Sequence, residues 1–341
     1  MMQSRSEKFA ITSPIILAIL LVAALLRIYH IGYSSIWIDE IASLQFSCGW
    51  LAGSVPPTNI LHDPGIDMTN PRESKSLGKI WHSVDDDTHP PIYFLLLHVW
   101  RNFFGPGDVA ARSLSVVCSI ISILLLYDTA RLLHGQSIAI WAAAIMAVAT
   151  PQIVFAQEAR GYAMVTMFIL AMANAIARIE ILGESKWRLI ALAIATFAAA
   201  MTHYLAIPAA LALGIYIMIR FRGRSRWRAL AAMSIAAVFF LMIWGHTAWN
   251  QRSHFQTNLS WLNDSAPGIA TRTLDRLASL PLMFFITPKQ HDANSIVTRF
   301  AAVLYFIPLI AIRRRGVLLW ILIAAAIIAT TATSPSISIA P

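Results

Sequence analysis

Apolar runs long enough to cross a lipid bilayer recur along almost the whole chain, and no other feature constrains its fold as strongly. A helix rises about 1.5 Å per residue, so roughly 18–20 apolar residues match a hydrocarbon core about 30 Å thick. Such runs occur at about residues 11–29, 111–133, 137–156, 161–182, 187–202, 204–220, 227–247, 295–312 and 316–333. Composition agrees: 57% of the residues are hydrophobic and 13% charged, with a mean hydropathy of +0.64. A soluble domain carries about a quarter charged residues. The chain therefore reads as an all-α polytopic membrane protein with about nine transmembrane helices.

Charge placement sets the expected orientation. The formal net charge is +9, but the Lys and Arg residues sit in short clusters between apolar runs. That pattern is orientation charge at a membrane surface and excludes nucleic acid as a partner. Arg220, Arg222, Arg224, Arg226 and Arg228 form one cluster, Arg313–Arg315 another, and the N-terminus with Arg5 and Lys8 a third. All three are expected on the cytoplasmic side. The first apolar run reads as a retained helix, because Arg27 and Tyr29 stand where a signal-peptide cleavage site needs small residues. Cys48 and Cys118 lack metal-ligand spacing and read as two unpaired thiols.

Residues 30–110 and 248–294 then fall on the external face. The apolar stretch Pro91 to Phe104 rises only about 21 Å as a helix, too short to cross. It is expected to lie at the external interface, and residues 36–51 are expected to form a helix along the membrane. The domain reading is a 1–247 transmembrane module that includes the external loop 30–110. A second external loop, 248–294, and a C-terminal pair of helices within 295–341 follow.

Polar motifs gather on that external face. Asp39 and Glu40 are adjacent carboxylates just above the interface, where one of them can serve as a general base; a solvated loop pair is the plainer alternative. Asp85-Asp86-Asp87-Thr88-His89-Pro90-Pro91 can supply oxygen ligands to a divalent cation, or simply the acidic start of a helix. Within Gln157–Tyr162, Arg160 can bind a phosphate with Glu158 orienting it, or the two can form a local ion pair. His203 and Tyr204 can donate hydrogen bonds to a phosphate or sugar oxygen, or form a satisfied interfacial pair.

Taken in order, these pieces resemble the GT-C membrane glycosyltransferases. The closest likeness is to the bacterial branch related to protein O-mannosyltransferases and lipid A aminoarabinose transferases. The residues that carry it are Trp37-Ile38-Asp39-Glu40, His89-Pro90-Pro91-Ile92-Tyr93, Arg112-Ser113-Leu114-Ser115, Gln157-Glu158-Ala159-Arg160-Gly161-Tyr162 and His203-Tyr204. The resemblance covers roughly residues 10–220. It implies a GT-C-like fold whose large first external loop carries interfacial helices. It also implies a polyprenyl-phosphate sugar donor, a lipid, glycan or protein acceptor, and an active periplasmic face of the inner membrane.

By the same resemblance Asp39 and Glu40 are the catalytic candidates. Asp87, His89, Tyr93, Glu158, Arg160, Tyr162, His203 and Tyr204 are the substrate-binding candidates. Some relatives use Mg or Mn and others no metal, so the resemblance leaves a divalent cation open. Relatives usually continue with further C-terminal helices or a soluble domain, so the chain is expected to be a short member, a fragment or a frameshifted product. The competing readings are a transporter or flippase for a lipid-linked or anionic substrate, and an inactive membrane scaffold.

Overall fold

A computed structural model describes residues 14–53 and 67–258. The expected spans 295–312 and 316–333, the basic clusters at 5–8 and 313–315, and residues 259–294 lie outside the described residues. Among the described residues every regular element is helical.

The helices run α1 (Pro14–Ile28), α2 (Ile38–Ser47), α3 (Leu77–His82), α4 (Ile92–Phe104), α5 (Asp108–His134), α6 (Gln136–Val148), α7 (Thr150–Ala156), α8 (Tyr162–Leu182), α9 (Lys186–Thr202), α10 (Ala206–Arg220) and α11 (Gly223–Asn258). By length and composition, α5, α8 and α11 can each cross a membrane, as can the bent pair α6–α7; α1 and α10 are shorter apolar helices. Large apolar side chains point outward along the bundle, among them Leu21, Leu25, Trp141, Ile194, Leu211 and Met242. In water such a surface would be a liability; against lipid it is the expected coat.

The bundle has two polar ends. At one, Asp128 late in α5 accepts from Arg131, Arg178 and Asn174, and Glu180 of α8 accepts from Arg220 and Tyr216. This is the basic end, and it also holds Lys186 and Arg222–Arg228. The other end gathers the starts of α5, α8 and α10, the ends of α1, α7 and α9, and the whole of α2, α3 and α4. Both termini of α4 belong there. His89, just before its start, packs on His203, and Arg101, near its finish, donates to the backbone carbonyls of Thr69 and Pro106. So α4 does not cross, as its length requires.

Two boundaries differ from the sequence expectation. The run 137–156 is not one helix: α6 and α7 meet at Ala149 with a 59° bend, because Pro151 has no N–H to continue the helical ladder. The second external loop does not begin at 248, since α11 continues as a helix to Asn258. Its polar last turns are held at the site end by Gln251, which donates to the Val84 carbonyl at 2.6 Å and accepts from the Tyr204 hydroxyl.

Candidate functional site

The site is built around the first turn of α2. Successive helical residues point about 100° apart, so the adjacent acids Asp39 and Glu40 part company at once. Glu40 turns inward and is fully buried. Arg112, one turn into α5, meets it with a two-point contact, Nε to Oε1 at 2.9 Å and Nη2 to Oε2 at 2.7 Å. The backbone N–H of Ala159 adds a third bond at 2.8 Å. Arg112 also donates to the carbonyls of Ile31 and Ser34. One buried ion pair thus joins the entry to α2, the start of α5 and the α7–α8 turn.

Asp39 points the other way, with its side chain 41% exposed. Its nearest cation is Arg160, whose Nη2 lies 3.6 Å from Oδ2. Arg160 is itself buried, with Nη1 donating to the Asp39 carbonyl at 3.2 Å and to Ser43 Oγ at 3.4 Å. Its guanidinium also sits over the Tyr162 ring, 5.7 Å from the centroid. Burial opposes the charge, but Tyr162, Asp39 and Asp87 outweigh it, and Arg160 remains a firm cation. Its sequence neighbour Glu158 does not orient it: among the described residues no donor bonds to the Glu158 carboxylate. Burial, reinforced by the charges of Glu40 and Asp39, pushes that carboxyl up to about 7.

Opposite this group stands the segment that leads into α4. His89 Nδ1 donates to Asp87 at 2.8 Å. Burial would raise the Asp87 carboxyl, but the His89 bond and charge outweigh it and hold the group below the usual carboxylate range. The His89 ring meets His203 edge-on at 5.0 Å, and His203 meets Tyr162 at 5.5 Å. The Leu205 N–H donates to His203 Nδ1 at 3.1 Å, so the ring carries its proton on Nε2. Burial, and the charges of His89 and Arg160, keep that ring neutral.

Tyr93 and Tyr204 have different surroundings. Tyr93 is buried below the surface of the site, beside Phe94, with its hydroxyl pushed up by burial. The Tyr204 hydroxyl accepts from Trp244 Nε1 at 2.9 Å and bonds Gln251, and burial pushes it up to about 12. Tyr204 therefore ties α10 to α11 rather than facing an opening.

The acids at 85–87 go three ways: Asp85 bonds His82, Asp86 is exposed, and Asp87 bonds His89. Among the described residues no three His, Cys, Asp or Glu side chains converge as metal ligands.

The sequence offers Arg112 only as part of the Arg112-Ser113-Leu114-Ser115 motif, with no role attached, and gives Gln251 no place at all. Arg112 had a signal in the sequence, a guanidinium placed within the first turns of an apolar span. Gln251 had none, since its partners Tyr204 and Val84 are 47 and 167 residues away.

Comparison with known proteins agrees with this architecture. Residues 88–249 match the family described as dolichyl-phosphate-mannose-protein mannosyltransferase. Among curated proteins nothing matches the chain. Among solved structures, the S. cerevisiae protein O-mannosyltransferase Pmt1-Pmt2 complex bound to the sugar donor aligns with a TM-score of 0.50 at 14% identity. The alignment covers 76% of this chain and 34% of that one, so the chain spans about a third of the yeast protein's length. The chain shares the helical fold of that yeast membrane protein, and over residues 88–249 its sequence resembles the dolichyl-phosphate-mannose-protein mannosyltransferase family.

Proposed function

We propose that the chain is a glycosyltransferase that moves a sugar from a polyprenyl-phosphate donor to an acceptor hydroxyl. The reaction takes place at the end of the bundle opposite the basic cluster. The positive-inside rule supports an external position for that end, which in this reading is the periplasmic face of the inner membrane.

One observation carries the reading. Among the described residues Asp39 is an accessible carboxylate with no donor in hydrogen-bond range, and it stands 3.6 Å from a buried, firmly charged guanidinium. A carboxylate so placed can take the proton of an acceptor hydroxyl as that oxygen attacks the anomeric carbon. The bond to the donor phosphate breaks in the same displacement, which inverts the anomeric centre. Arg160 stabilises the negative charge that gathers on the departing lipid phosphate. His89, its Nδ1 engaged by Asp87, offers Nε2 to a sugar or phosphate oxygen, and His203 offers Nε2–H. Tyr162 supplies a ring face beside them. Glu40 serves as a positioning residue, because its oxygens are already spent on Arg112 and Ala159. The mannosyltransferase family and the donor-bound yeast complex support a lipid-linked donor of this class.

A transporter needs ionisable groups free to change partners inside the spans. Asp128 instead has its oxygens engaged by Arg131, Arg178 and Asn174. The test is turnover: protein purified in detergent, given a polyprenyl-phosphate sugar and an acceptor, releases polyprenyl phosphate in proportion to enzyme and time. Donor that binds, or crosses a vesicle membrane, without being cleaved would overturn the transferase reading.

A further inference from the structure

A buried cation stands outside the site. Arg27, on the last turn of α1, is fully buried in an apolar bundle and, among the described residues, meets no carboxylate. Such a charge is costly unless its donors are satisfied. They are satisfied by the damage Pro151 does. Lacking an N–H, Pro151 leaves the carbonyl four residues back, Ala147, without its helical partner. Arg27 Nη1 donates to that carbonyl at 2.8 Å and Nη2 donates to Met146 at 3.2 Å. Nε donates to Ser119 of α5 at 2.8 Å, and Nη1 also reaches the Ala23 carbonyl at 3.1 Å.

The far end of α7 is tied to the same place. Gln157 Nε2 donates to the carbonyls of Leu26, Arg27 and Tyr29, at 3.3, 3.2 and 2.9 Å. These acceptors are the groups that the end of α1 leaves open. The seven-residue α7 is therefore pinned before and after by one turn of α1. The residues that follow it are Glu158, Ala159, which bonds Glu40, and Arg160, which faces Asp39.

We propose that Arg27 is a positioning residue: by holding the α6–α7 break at its bend, it aims α7 so that Glu158–Arg160 arrive opposite Asp39. The activity arm of its test rests on the transferase reading; the labelling arm does not.

Three variants separate positioning from mere stability. Arg27→Met removes the staple. Arg27→Lys keeps the charge but loses the planar fork that spans two carbonyls. Arg27→Met with Pro151→Ala restores the missing N–H, so the orphaned carbonyl is satisfied by a continuing helix and the bend is lost. Positioning predicts that Arg27→Met lowers kcat by about 10²-fold, the scale of a misplacement near 1 Å, with donor KM changed far less. Arg27→Lys falls between it and the wild type. The double variant recovers melting temperature but not kcat.

Glu158→Cys reads the same geometry without activity. Its maleimide labelling rate changes at least about tenfold in both Arg27→Met backgrounds. The proposal is overturned if the double variant regains kcat along with stability, or if labelling at 158 is unchanged in folded Arg27→Met or double-variant protein. Absence of turnover in the wild type, with labelling shifted as expected, would reject the transferase reading and leave the positioning role standing.

Discussion

Asp39 and Glu40 share a peptide bond yet face opposite environments: Glu40 is sealed beneath α2 against Arg112, while Asp39 is 41% exposed at the mouth of the bundle. The helical turn between them divides the labour of the site. One carboxylate fixes the framework and the other is left for chemistry.

Breaking the buried pair from one side should cost far more than removing it whole. Arg112→Met or Glu40→Leu alone leaves a charge stranded in a low-dielectric interior, a loss of about 3–5 kcal/mol. The double replacement substitutes apolar packing for both charges and should recover most of that loss. Melting temperatures of the purified single and double variants test this. Additive losses would mean that the two side chains are not coupled and that the pair does not stabilise as a unit.

Glu158 should make stability depend on pH. Its carboxyl is raised to about 7 in the folded protein from an ordinary value of 4.5. Between those values the folded state holds a proton that the unfolded state has released, so stability falls as pH rises through that window. Glu158→Gln, which cannot ionise, should lose that slope. Its melting temperature, lower than or close to that of wild type at pH 5, should move above it by pH 8. Parallel melting curves across that range would contradict the shift.

Gln251 is 1% exposed and links the Tyr204 hydroxyl to the Val84 carbonyl. Gln251→Leu leaves the Tyr204 hydroxyl proton without its acceptor and takes one of two donors from the Val84 carbonyl, which keeps the Asp87 N–H, at a cost of about 1–3 kcal/mol. It should lower the melting temperature and raise proteolysis in the 84–89 segment, whose packing under α11 it maintains. Unchanged protection there would show that α11 is not what holds the segment.

Much of this was readable before the structure. The shortness of the Pro91–Phe104 stretch and the position of the basic clusters were enough to put the polar motifs at one end, because helix length and surface charge are local properties. A helix expected over 36–51 implies that Asp39 and Glu40 point about 100° apart, but which of them turns inward, toward a partner 72 residues away, left no mark in the spacing. Arg160 likewise pairs with Asp39 across 121 residues rather than with its neighbour Glu158, since the tight turn at 157–161 points the two side chains to different surroundings. Pro151 did announce a break. A hydropathy window averages over one proline, and only Arg27 reveals how the freed carbonyls are satisfied inside the bundle.

The account turns on Asp39 acting as the base beside Arg160, and the rate of polyprenyl-phosphate release by Asp39→Asn tests that most directly. Because Asp39 is half-exposed and its carboxylate, among the described residues, meets only Arg160 at 3.6 Å without a hydrogen bond, the variant should fold and melt close to wild type. Its kcat should fall by about 10²–10⁴-fold, the span of general-base catalysis. Release at the wild-type rate by well-folded Asp39→Asn protein would contradict the assignment of Asp39 as the base.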